Sequence, residues 1–113
     1  MVTQKKMTIP IFDYKLIVII YDDWDEIKHL DNYTRDKKDA PAGFTKWDCG
    51  ISIVAIQSNR ESSIVHEALH VKNLVWDYIG YKPQIDNDEV DAYLLTYIYN
   101  KIKEVYNKHF KTA

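Results

Sequence analysis

The stretch Ser58 to Gly80, SNRESSIVHEALHVKNLVWDYIG, is where the fold is decided. Ser58 followed by Glu61 has the form of a capping box, with Ser58 as N-cap and Glu61 at the third helical position. From there Ile64, Ala68, Val71, Val75 and Ile79 recur at helical spacing and predict one apolar face. His66, His70, Asn73 and Asp77 fall within about 40° of one another on the other side, as a polar stripe. Gly80 stands where a left-handed C-terminal cap belongs, and Pro83 follows shortly after. The spacing therefore predicts a helix from the capping box to Ile79, with one face toward a core and one toward a cleft.

Downstream, Asp86 or Asn87 is placed to cap a second helix running to about Lys108. Val90, Tyr93, Leu94, Tyr97, Ile98, Lys101, Ile102 and Val105 have the spacing of its buried face. Upstream the pattern changes. Leu16 to Ile20, followed by Tyr21, is rich in β-branched residues and reads as a buried strand. Phe44–Trp47 and Gly50–Ile56 read as two more strands, joined as a hairpin through Asp48-Cys49-Gly50. Between them, Asp22 to Asn32 suggests a short helix, and Thr34 to Gly43 a charged surface loop. Strands followed by two long helices make an α+β domain, a small N-terminal sheet packed on two C-terminal helices.

The chain has 113 residues, which suits a single domain spanning 1–113. An apolar fraction of 46% predicts a folded core. A formal net charge of −2 supplies no field for nucleic acid or anionic membrane. Cys49 is the one cysteine, so no disulfide forms within the chain, in keeping with a reducing, cytoplasmic compartment. No apolar run has the length of a membrane span or a signal peptide.

Within the first helix, His66-Glu67-Ala68-Leu69-His70 is an H-E-x-x-H pattern. Two imidazoles one turn apart converge on a single ion, and Glu67, about 100° round, stands beside it. Zinc lowers the pKa of a water toward neutrality, and a neighbouring carboxylate takes the proton. Two histidines leave a catalytic zinc one protein donor short. Glu89, nineteen positions after His70 and in the first turn of the second helix, is the candidate third ligand.

H-E-x-x-H followed after a helix-turn-helix by E-x-x-A, here Glu89 to Ala92, resembles the gluzincin metallopeptidases. The form E-x-x-A-Y, closing at Tyr93, and the short chain are most similar to the minigluzincins; the ImmA/IrrE-type phage and stress metallopeptidases are a more distant likeness. The resemblance covers residues 50–98. It implies zinc ligation by His66, His70 and Glu89, Glu67 as general base, and a peptide or protein substrate aligned on an edge strand, expected at Gly50–Ile56. Thermolysin relatives carry an aspartate four residues after the ligand glutamate. Tyr93 holds that place here, where it would orient His66 or stabilise an oxyanion. The alternatives are a metal-stabilised interaction protein without turnover, and a phage or mobile-element regulator acting on one partner. His29, His109, Asp88 and Asp91 read as ordinary structural or solvent-facing residues.

Overall fold

The computed structural model describes residues 1–30, 38 and 40–111. Four strands come first: β1 (Val2–Ile9), β2 (Tyr14–Tyr21), β3 (Gly43–Asp48) and β4 (Ile51–Gln57). Two helices follow, α1 (Ser63–Ile79) and α2 (Glu89–Lys111). The fold is α+β, as the order of strand and helix patterns predicts. The sheet order is β1-β2-β4-β3, with β2 and β4 parallel at the centre and the outer pairs antiparallel.

Alternation along the central strands explains the layers. Leu16, Val18, Ile20, Val54 and Ile56 point to one face, where Ile64, Ala68, Val71, Val75 and Trp76 of α1 and Leu94, Ile98, Ile102 and Val105 of α2 close the main core. On the opposite face Ile19, Tyr21 and Ala55 pack beneath Trp24 and Ile27. Both faces of the central strands are thus covered, which is why Leu16–Ile20 is a continuous apolar run rather than an alternating one. Among the described residues no helix is long and apolar enough to cross a membrane.

Several expectations are corrected. The edge strand is not Gly50–Ile56: β4 lies inside the sheet between β2 and β3, and β3 is the edge beside α1. β1 escapes the pattern because Lys5 and Lys6 interrupt its alternation, as suits a strand with one open edge. The Asp22–Asn32 helix is two short 3₁₀ turns, Trp24–Glu26 and Lys28–Leu30, within the described part of that stretch. The capping box belongs to Asp23 and Glu26. Ser58 instead donates to Asp22, Glu61 pairs with Lys103, and α1 starts five residues after Ser58, at Ser63. Ile79 is 41% exposed, being the last residue before the Gly80 cap. Of the expected loop at Thr34 to Gly43, residues 34–37 and 39 lie outside the described residues; Ala40, Pro41 and Ala42 carry no helix or strand, and Gly43 itself opens β3.

The second helix buries Leu94, Ile98, Ile102 and Val105 of its predicted face and half-buries Tyr97 and Lys101, but leaves the first turn of that face exposed. Tyr106 and His109 are buried as well, whereas Val90 and Tyr93 are exposed. Asp91 is not solvent-facing. It accepts from Trp76 Nε1 at 2.7 Å and pairs with Lys72 Nζ at 2.8 Å, tying the start of α2 to α1.

Candidate metal centre

α1 carries its core face against the sheet and exposes His66 and His70 on the far side. Their Nε2 atoms stand 3.2 Å apart, with the rings nearly perpendicular. The pair is within hydrogen-bonding distance; two donors about 2.0–2.1 Å from one tetrahedral zinc also lie about 3.3 Å from each other, so the same spacing suits two ligands of a single ion. Glu67 completes a group whose donor atoms all fall within 4.8 Å, its Oε2 lying 4.0 Å from His66 Nε2.

The two kinds of side chain sit in different surroundings. His66 is 69% exposed, while the Glu67 side chain is 5% exposed and pressed against β3. Its Oε1 accepts the Thr45 hydroxyl at 2.9 Å. A Cβ on Gly43 would stand in ordinary contact with Glu67 Oε2, at 3.6 Å, and tightly against the Ala55 carbonyl oxygen, at 3.0 Å. Tyr21 lies on the sheet nearby. Burial pushes its hydroxyl up to about 12, and the Glu67 charge adds to the shift.

Between β3 and α1 runs a cleft of about 430 Å³ lined by Phe44, Thr45, Trp47, the two histidines, Glu67 and Leu74, among others. The ladder explains which atoms of β3 face it. Gln57 N donates to Ala42 O, and hydrogen-bonded pairs alternate along an antiparallel ladder. Phe44, Lys46 and Asp48 therefore bond to β4, and the N–H and C=O groups of Gly43, Thr45 and Trp47 turn outward. Their side chains share the α1 face of the sheet, and Trp47 is 66% exposed there. The edge strand beside α1 is therefore β3, and not the Gly50–Ile56 strand that the resemblance implied.

Glu89 and Tyr93 are not brought to this group. Glu89 is exposed at the first residue of α2 and stands outside the cluster of donor atoms; Tyr93 is 72% exposed. The cause lies in Asp91. Two residues along a helix differ by about 160° in direction, so with Asp91 turned to Lys72 and Trp76, Glu89 points away from α1. Two histidines and a neighbouring carboxylate therefore have the donor chemistry to hold a metal ion, and Glu89 does not join them as a further ligand.

Thr45 and Gly43 went unnoticed in the sequence because their role depends on a strand 22 residues from Glu67 in the chain. His109, read as unremarkable, is 2% exposed and bridges Asp22 (2.8 Å from Nε2) and Thr3 (2.9 Å from Nδ1). Asn73 lines the cleft, while Asp77 lines an adjoining hollow with Cys49 and Tyr78. Compared with protein-family models, curated proteins and solved structures, the chain matches none of them.

Proposed function

We propose that the protein is a zinc-dependent peptidase that holds its ion at His66 and His70 and uses Glu67 as general base. The observation that carries this reading is the 3.2 Å Nε2–Nε2 separation with a buried carboxylate at its side. A site needed only for stability has no use for a carboxylate placed next to the ligands without joining them. Bound zinc would acidify water and polarise a carbonyl. The residues of the chain would do the rest. The outward N–H and C=O groups of Gly43, Thr45 and Trp47 would take an extended peptide as an added strand. Glu67 Oε2 would remove the proton from the attacking water and return it to the leaving amine.

A second reading, peptide capture without hydrolysis, is favoured by one observation: Glu89 does not stand with the histidines. One experiment separates the two. Protein purified without added metal is analysed for zinc, and the wild type and E67Q are incubated with unfolded protein substrates. Peptidase action predicts about one zinc per chain in both proteins and cleavage by the wild type alone. Zinc in both with cleavage by neither supports capture. No zinc, even when it is supplied, ends both readings.

A further inference from the structure

We propose that Thr45 is a positioning residue for Glu67, holding one carboxylate oxygen so that the other alone is turned toward the histidine pair. The inference rests on the reading of the site as a metal centre and adds to it a residue that reading does not require. Glu67 has a long side chain with several rotatable bonds, and a base must keep one oxygen in one place to work. Oε1 is engaged by the Thr45 hydroxyl at 2.9 Å, while Oε2 lies 4.0 Å from His66 Nε2. The two oxygens of one carboxylate thus have different surroundings, one on the strand and one on the histidine side.

Strand propensity and apolar packing alone do not call for a hydroxyl at this position. Position 45 is a half-buried strand residue on the face toward α1, opposite Val54. Valine would satisfy both the β-propensity and the packing there. What valine cannot do is donate a hydrogen bond to Glu67. Gly43, two residues away on the same face, borders Oε2: a Cβ there would stand in ordinary van der Waals contact with it, at 3.6 Å. Thr45 thus holds the carboxylate at Oε1, and Gly43 borders it on the side of Oε2. Because Thr45 also turns its own N–H and C=O outward along the edge of β3, which no other described strand pairs with, the peptide-docking edge and the base are joined by a single residue.

The test uses the full chain and Co²⁺ alone as the probe. The visible absorption of Co²⁺ reports the donors and solvent around the ion, and competition with a chelator gives its affinity. The wild type, T45V, T45S, E67Q and the T45V/E67Q pair are compared, with T45A standing in should T45V fail to fold. Thr45 touches no ligand, so T45V should keep its Co²⁺ affinity within about threefold of wild type. Its spectrum should move toward that of E67Q, T45S should retain the wild-type spectrum, and T45V should change nothing further in the E67Q background. A T45V spectrum identical to wild type while that of E67Q differs would overturn the proposal and leave the metal centre standing. So would an E67Q spectrum unchanged from wild type, or a T45V effect that persists in the E67Q background. Failure of the wild type to bind Co²⁺ or Zn²⁺ would remove the metal centre and this proposal with it.

Discussion

A methyl group at Gly43 would meet the Ala55 carbonyl oxygen at 3.0 Å, so the backbone of β3 or β4 must shift by a few tenths of an ångström to admit it. G43A should therefore cost about 1–3 kcal/mol, measured by urea unfolding, in the manner of other overpacked positions. Glu67 supplies a sharper residue-scale contrast. H70A removes a donor and should abolish zinc binding, whereas E67Q removes a base and should leave zinc bound, as read by elemental analysis of the two proteins. Asp22 governs a pH effect far from the cleft. Hydrogen bonds from Ser58 and then His109 hold its carboxyl at about 2, below the ordinary value of 3.8. A depressed carboxyl pKa contributes stability that is fully present above 3.8 and is lost as the pH falls through about 2. D22N should flatten that part of the acid-unfolding curve, followed by circular dichroism.

Between elements, the contact that sets the relation of α1 to α2 is the group Lys72, Asp91 and Trp76. Lys72 is 6% exposed, so truncating its partner strands a buried charge. D91A is expected to cost about 3 kcal/mol in chemical denaturation, while K72M combined with D91L should lose much less, because it removes both charges together. The same group explains the direction of Glu89. As long as Asp91 holds Lys72 and Trp76, the first turn of α2 faces Glu89 away from the histidines. Accordingly E89Q should leave the zinc affinity of the wild type nearly unchanged, measured by chelator competition. A large loss would mean that α2 turns in the zinc-bound state and that Glu89 is the ligand implied by the gluzincin likeness.

At the scale of the whole molecule, the candidate site lies where the β3 edge of the sheet meets the exposed face of α1, outside the main core. Core and site are therefore separable. An ion that binds only the folded chain stabilises it by mass action, by about 2.7 kcal/mol at a hundredfold excess over its dissociation constant. For a domain of 113 residues this corresponds to a rise of roughly 10 °C in Tm. Zinc should raise the Tm of the wild type by that order and leave that of H70A where it is, in thermal scans with and without chelator.

The amino-acid sequence by itself determined the class of the fold, the two helices, the Asp48–Ile51 hairpin and the convergence of His66 and His70. Each depends on local periodicity, on a turn residue such as Gly50 or Gly80, or on the geometry of one helical turn. Tertiary structure alone decided which strand is the edge, since a strand order of β1-β2-β4-β3 comes from a parallel pairing of β2 with β4 that no local pattern announces. It also decided which way the first turn of α2 faces, because an aspartate that reads as solvent-facing is claimed by a buried lysine and a tryptophan on another helix. Thr45 meets Glu67 for the same kind of reason: the edge strand packs against α1, and a hydroxyl and a carboxylate far apart in the chain come within 2.9 Å.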